Sequence, residues 1–395
     1  MKKPAFAVRR EGPCPIYLQL ANQLRERILA GDLLPDTRLE TEWQLAQDLH
    51  ISRGTVRQAL ATLENEGLLY RIPGKGTYVR GFLAKVSNTS SLIGFMVPFA
   101  HDPLTMEMLS GAESTLRGRG YRLLFCNCGR DQARQAREVR ALLTQGIRGL
   151  ILFPVDGAVS APILSWLQEQ SFPVVLIDRY VPGVEVDSVV VDNYSGGYQA
   201  TEHLILLGHR RIGFVATGNL HISTVAERFA GYRQALEDRC ISYRPSWLLE
   251  KWQEWDPDRI LQNRLTPEEQ EEDRRLLSEY LRQEDAPDAL FAVNDLVAIR
   301  LLRSLQAEGR RVPQDMALVG FDNLDVAANL AVPLTTIHQP KREIGAQAAR
   351  LLLDRLERRS AGPQKVVLPV TLVVRESCGA RLHEREEEPD GLMRS

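Results

Sequence analysis

The sequence predicts an α/β protein in two parts, an N-terminal winged helix-turn-helix and a larger two-lobed, doubly wound α/β domain, and three observations lead there. Two helical patterns within residues 41–63 are separated only by His50-Ile51 and are followed by a glycine-rich hairpin, Ile72-Pro73-Gly74-Lys75-Gly76. From Leu92 onward, apolar runs of strand length at 92–97, 122–126, 150–153, 174–177, 212–216, 289–293 and 317–319 alternate with helical segments, the pattern of a parallel sheet covered on both faces. Between the two parts, Val86-Ser87-Asn88-Thr89-Ser90-Ser91 is polar and aperiodic and suits a tether. The expected organisation is a DNA-binding type of domain at 1–80, a linker at 81–91, a two-lobed domain at 92–380, and an acidic, unpatterned and therefore disordered tail at 381–395.

In the first part, Ile16, Leu20, Leu24 and Ile28 recur at helical spacing before Gly31 and predict an amphipathic helix of about four turns. Thr41 offers an N-cap for a shorter second helix, with Trp43, Leu45, Ala46 and Leu49 as its apolar contacts. Ser52 caps a third, on which Val56, Ala59, Leu60 and Leu63 face a core; with so short a join this is helix-turn-helix arithmetic. Arg53, Thr55, Arg57 and Gln58 then fall at the N-terminal end of the third helix, where side chains and the positive end of the dipole meet a major groove. An arginine there can pair bidentately with guanine, and a threonine or serine can hold phosphate. Strand patterns at 68–71 and 77–80 around Gly74, Lys75 and Gly76 read as a wing. The two glycines also match the start of a dinucleotide fingerprint, but no third glycine follows and the segment leads into a strand.

Residues 15–80 resemble the DNA-binding domain of the GntR family of bacterial regulators. The features that carry the resemblance are Tyr17-Leu18-Gln19-Leu20, Ile28-Leu29-Ala30-Gly31, the stretch from Ser52-Arg53-Gly54-Thr55 to Leu60, Glu66-Gly67-Leu68, and Gly74-Lys75-Gly76-Thr77-Tyr78-Val79. It implies a homodimer on a pseudo-palindromic double-stranded operator. Arg38, Thr41, Ser52, Arg53, Thr55, Arg57, Gly74, Lys75 and Gly76 are the candidate DNA-binding residues. Where the family has Leu-Pro-Ser-Glu before the second helix, this chain has Leu39-Glu40-Thr41-Glu42; Thr41 still caps, Glu40 is unfavourable beside phosphate, and Arg38 is the expected backbone contact.

Open α/β sheets bind ligands beyond the carboxyl ends of their strands. Those ends carry Phe99 and Asp102, Asp178-Arg179, Asp192-Asn193, Asn294-Asp295 and Asp322-Asn323, a mixture of donors, acceptors and aromatic faces that suits a polyol. A single Asp at such an end is more often a helix N-cap, but five ends sharing this chemistry point to a cleft. Residues 92–375 resemble the effector domain of the LacI family and the periplasmic sugar-binding proteins in Val191-Asp192-Asn193, the stretch His203 to Ile212, Arg228-Phe229-Ala230-Gly231-Tyr232, Ala292-Val293-Asn294-Asp295, Val319-Gly320-Phe321-Asp322-Asn323 and Thr335-Thr336-Ile337-His338-Gln339-Pro340. The resemblance implies that Arg228, Asn294 and Asp322 line an effector cleft, with Phe99, Arg179 and Gln339 as second choices beside Asp102. It also implies lobes at 92–192 and 194–333, with a helix at 341–358 returning to the first. His203 and His209 read as packing and helix-end residues. Residues 242–286 depart from the pattern: Trp247, Trp252 and Trp255 are expected in packing, and the acidic run after Pro267 starts a solvated helix.

Composition narrows the function. The 44% hydrophobic and 25% charged content is that of a globular protein, and no run of about 18 apolar residues marks a membrane span. Cys14, Cys126, Cys128, Cys240 and Cys378 are odd in number and scattered, which fits reduced thiols in a cytoplasm; no metal or other cofactor is expected. Residues 1–80 hold 12 Lys and Arg against 9 Asp and Glu, whereas the whole chain carries −2, so the N-terminal part is the natural polyanion contact. In plan the chain resembles arabinose-responsive repressors, which implies operator binding relieved by a small sugar. A sugar-processing enzyme or a sugar-binding protein without a regulatory role is the rival. No nucleophile elbow, P-loop or HExxH motif supports the first, and the second leaves the first eighty residues unexplained.

Overall fold

Three helices and a hairpin build the N-terminal part of the computed structural model: α1 (Ile16–Ala30), α2 (Glu42–Asp48), α3 (Arg53–Asn65), β1 (Leu69–Ile72) and β2 (Gly76–Val79). The structure describes all residues except 1–5, 7, 9–14, 31, 34–35, 67, 80–89, 130, 156, 218–219, 253–255, 360–361 and 381–395. The tether at 81–89, the tail at 381–395, the stops Gly31 and Gly67, and Trp255 therefore lie outside the described residues. Thr41 caps α2 with a capping box, its hydroxyl accepting from Gln44 N at 3.2 Å while Gln44 Oε1 accepts from Thr41 N at 2.9 Å. Ser52 caps α3 by accepting from Thr55 N at 3.1 Å. Leu20, Leu24, Ile28, Leu45, Val56, Leu60 and Leu63 close the small core. Trp43, expected among the contacts of α2, is instead 55% exposed. The buried face of α2 is set by Leu45, Ala46 and Leu49, and a residue two positions before Leu45 lies about 200° round the helix from it.

The first lobe follows as β3 (Leu92–Val97), α4 (Pro103–Arg117), β4 (Arg122–Asn127), α5 (Gln132–Thr144), β5 (Leu150–Leu152), α6 (Gly157–Glu169), β6 (Val174–Ile177) and β7 (Asp187–Val191). The second holds α7 (Asn193–Leu206), β8 (Ile212–Val215), α8 (Ser223–Asp238), β9 (Leu248–Leu249), α9 (Pro257–Leu261), α10 (Pro267–Leu281), β10 (Ala289–Ala292), α11 (Asp295–Ala307), β11 (Ala317–Asp322) and β12 (Thr335–His338). Then α12 (Lys341–Leu356) and β13 (Lys365–Leu368) return to the first lobe and β14 (Thr371–Val373) to the second. The sheets run β4-β3-β5-β6-β7-β13 and β9-β8-β10-β11-β12-β14. All named pairings within them are parallel except β12 with β14, which is antiparallel. That reversal follows from the third crossing: β14 comes straight from β13 without a helix to turn it.

The chain thus passes between lobes at Asp192-Asn193, Gln339-Pro340 and Pro369-Val370. Each lobe is clamped by one pair of helices that touch through glycines. A Cβ on Gly345 would stand 1.8 Å from the Met108 carbonyl oxygen and one on Gly111 1.9 Å from that of Arg342, so α4 and α12 meet backbone to backbone. Gly197 and Gly231 do the same for α7 and α8, at 2.2 Å from the Arg228 and 2.0 Å from the Tyr194 carbonyl oxygens. Cys126 and Cys128, at the end of β4, are half-buried and buried; desolvation pushes their thiols up to about 12 and about 11, so both stay protonated at neutral pH.

Candidate functional site

On the N-terminal part, Ser52, Arg53, Thr55 and Arg57 gather at the start of α3, with Ser52 Oγ and Thr55 Oγ1 2.8 Å apart. Arg57 is 60% exposed and Arg53 61%. Both turn toward a residue that the sequence reading passed over. Glu42, in the first turn of α2, faces Arg57 at 3.0 Å, Arg71 of β1 at 3.1 Å and Arg53 at 4.0 Å. The Arg57 hydrogen bond, aided by the charges of Arg57 and Arg71, holds the Glu42 carboxyl below its ordinary range. One carboxylate therefore fixes guanidinium groups from the third helix and the hairpin in a single array. The hairpin tip carries Gly74 and Gly76 at φ +75° and +129°, backbone that favours glycine, with Lys75 exposed between them. Arg38 bridges to Tyr78, and its Nε would be 3.0 Å from a Cβ on Gly76, so it belongs with the wing; Thr41 stays beside Glu42 at the α2 cap.

The second candidate surface lies between the lobes, at the carboxyl ends of both sheets. Phe99, Asp102, Phe153, Asp178 and Arg179 line it from the first lobe, and Thr217, Thr224, Arg228, Asn294, Arg300 and Asp322 from the second. Six of the seven residues expected there, Phe99, Asp102, Arg179, Arg228, Asn294 and Asp322, are brought together. Gln339 stands one layer behind, where its Nε2 donates to Asp322 Oδ1 at 2.5 Å. Arg228 is buried at the centre: Nε donates to Asn193 Oδ1 at 2.9 Å, Nη1 to the Val293 carbonyl at 2.6 Å, Nη2 faces Asp322 at 3.8 Å, and the guanidinium lies 3.6 Å from the centre of the Phe321 ring. Asn193 and Gln339 are crossover residues, so the two central charged groups of the cleft are each tied to a strand of the hinge.

Strand-end residues divide by role. Asp102, Asp192 and Asn294 accept from backbone N–H groups as N-caps of α4, α7 and α11. Asp178 and Asp322 cap nothing and sit at φ +68° and +113°, a strained backbone that turns them into the cleft. Arg179 donates to Asp178 at 3.1 Å and lies 4.8 Å from the centre of the Phe153 ring. Burial raises the Asp322 carboxyl well above the carboxylate range against the pull of Arg228, and Asp295, Asp102 and Asp178 raise it further. Of the four buried side-chain polar atoms without a partner among the described residues, Gln339 Oε1 and Ser223 Oγ adjoin this cleft. Thr217, Thr224 and Arg300 were not picked out from sequence; Thr217 had the signal, just past the end of β8, while Thr224 and Arg300 lie inside α8 and α11 with nothing local to mark them.

Burial also pushes Asp102 from 3.8 to about 6. A carboxyl raised in the folded state favours folding while protonated, so this contribution is complete below about pH 4 and is lost as the pH rises through 6. Asp102→Asn, which keeps a capping oxygen, is expected to melt progressively higher than the parent between pH 5 and 7.5, by up to about 3 kcal/mol. Parallel melting curves for the two proteins across that range would show an ordinary carboxyl.

A winged helix-turn-helix with exposed arginines at its third helix, followed by two lobes around a polar cleft, defines a ligand-responsive DNA-binding regulator of transcription. Residues 16–79 match the family of bacterial regulatory proteins of the gntR type, and residues 201–378 match the periplasmic binding protein-like domain. The chain is 33% identical over 375 residues to the arabinose metabolism transcriptional repressor of Geobacillus stearothermophilus, covering 93% of this chain and 99% of the repressor. It is 31% identical over 294 residues to the ribose operon repressor of Haemophilus influenzae, covering 74% and 82%. Among solved structures, the complex of the transcriptional regulator CelR with cellobiose superimposes with a TM-score of 0.63 at 27% identity, covering 86% of this chain and all of that one. The chain belongs to the gntR family of bacterial regulatory proteins, within the group of repressors that includes the Geobacillus arabinose repressor. It is a DNA-binding transcription regulator and not an enzyme. No helix among the described residues is long and apolar enough to cross a membrane.

Proposed function

We propose that this chain is a cytoplasmic repressor that binds a pseudo-palindromic operator as a homodimer and releases it when a neutral sugar fills the interlobe cleft. Residues 1–80 contact the DNA, 81–91 tether, 92–380 sense and dimerise, and 381–395 form the tail. The observation that carries the choice of ligand is the matching of charge on the lining. Arg179 faces Asp178, Arg228 faces Asp322 and Arg300 faces Asp273, while Asp102 adds a further carboxyl. Among the described residues of the lining no guanidinium is left over to neutralise a phosphate, whereas hydroxyls find donors and acceptors and a C–H face finds Phe99 and Phe153. The relatives named for arabinose and ribose operons and the neighbour holding cellobiose support the same class. Titrating operator DNA with and without L-arabinose, D-ribose and D-xylose tests it. One of these is expected to weaken DNA binding about 5- to 150-fold; phosphorylated pentoses acting while all neutral sugars fail would overturn it.

Within that reading, Arg57→Ala is expected to lower specific operator affinity roughly ten- to hundredfold while affinity for unrelated DNA changes little, since a bidentate base contact is lost. Lys75→Ala should lower affinity for every sequence and reduce the salt slope by about one, as loss of a phosphate contact does. Filter binding at several salt concentrations separates them, and identical profiles for the two variants would remove the distinction between groove and backbone contact.

A further inference from the structure

The segment that departs from the effector-domain pattern, 242–286, supplies the turn at 263–265 and α10, and these enclose with α11 a second cavity of about 280 Å3 in the second lobe. Its floor is the buried pair Arg300 and Asp273, with Arg300 Nε donating to Asp273 Oδ2 at 2.8 Å. Arg300 also lines the interlobe cleft, so its side chain borders both spaces.

The wall is cationic and incompletely satisfied. Among the described residues Arg274 Nε is buried without a hydrogen-bond partner, although the far end of the same guanidinium, on a side chain 42% exposed, meets Glu271. Arg303, half-buried, donates Nη1 to the Ile260 carbonyl at 2.7 Å; burial alone lowers its proton affinity, with no carboxylate acting to restore it. Asn263 and Ser304 add polar groups beside them. Three arginines face two carboxylates, Asp273 and Glu271, so the charge of Arg303 is left unmatched beside the unpartnered Arg274 Nε, in a recess large enough for several heavy atoms, and guanidinium groups so placed take oxyanions bidentately. The interlobe cleft has the opposite character, each of its arginines being matched.

We propose that the cavity between the turn at 263–265, α10 and α11 is a second ligand site, for a small phosphate-bearing anion, bordered like the sugar cleft by Arg300. The inference does not rest on the identity of the cleft ligand. The test is calorimetric titration of the full-length protein with inorganic phosphate and with ribose 5-phosphate at constant ionic strength, using chloride as the reference salt. Binding of either anion to the parent, weakened at least tenfold in both Arg303→Met and Arg274→Met while each variant melts as one folded species, supports the site. The two anions together tell whether free phosphate suffices or a sugar-borne group is required. A response no greater than that to chloride, or equal binding by the parent and a folded variant of either arginine, overturns it.

Discussion

Asp322→Ala is expected to leave operator affinity within about twofold of the parent and to abolish release of DNA by the sugar. Asp322 accepts from Gln339 at a crossover and faces Arg228, which is itself anchored to Asn193 at another. A hydroxyl that engages the Asp322–Arg228 pair therefore acts on two of the three strands linking the lobes, and without the carboxylate that route is cut. Loss of its charge-assisted hydrogen bonds weakens the ligand by roughly 1.5–3 kcal/mol, about the size of the coupling itself. Its removal also takes a partner from the buried Arg228 guanidinium and from Gln339 Nε2, so a thermal melt of the variant accompanies the titrations to show that it is folded. Operator titrations with and without sugar read the outcome; a variant that still releases DNA at the parent's sugar concentration would misplace the cleft. Arg228→Ala is not equivalent, although the sequence presents the two residues as a matched pair. It strands Asn193 Oδ1, the Val293 carbonyl and a buried carboxylate together, a loss of about 3–5 kcal/mol that confounds fold with response.

Gly345→Ala is expected to destabilise the sensor by more than about 3 kcal/mol. Its Cβ would stand 1.8 Å from the Met108 oxygen, 2.7 Å from the carbonyl carbon and 3.0 Å from Ala112 N, all backbone atoms of α4, so relief requires the helices to separate. Gly54→Ala is the control: it has ordinary φ, and its nearest neighbour is Ser52 Oγ at 3.5 Å, so stability should change by less than about 1 kcal/mol. Chemical denaturation of both variants, followed by circular dichroism, compares them. Equal midpoints would mean that α4 and α12 are not in backbone contact.

Much of this was legible because local pattern and global role coincide. Thr41 and Ser52 announce helix starts by chemistry that acts over three residues, and the strand ends Asp178 and Asp322 follow apolar runs that are strands on any reading. What was hidden is non-local. Glu42 becomes a partner of Arg57 and Arg71 only when α2, α3 and the hairpin fold together. Arg300 sits inside a helix whose periodicity says only that it faces inward, toward a residue 27 positions away. The third crossover was missed because β13 and β14 are edge strands of four and three residues, too short and too polar on one face to separate from a loop.

The shared carboxylate of Glu42 has a consequence for operators rather than for the protein. An arginine that swings from Glu42 to a base edge leaves the carboxylate to the remaining two, which it then holds harder, so engaging one position makes the next harder to engage. Base changes at the positions that Arg57 and the hairpin are proposed to read should therefore not combine additively: the first mismatch costs the smaller share, and the second removes a contact that the first has strengthened. A scoring matrix that treats operator positions as independent would rank doubly mismatched sites too high.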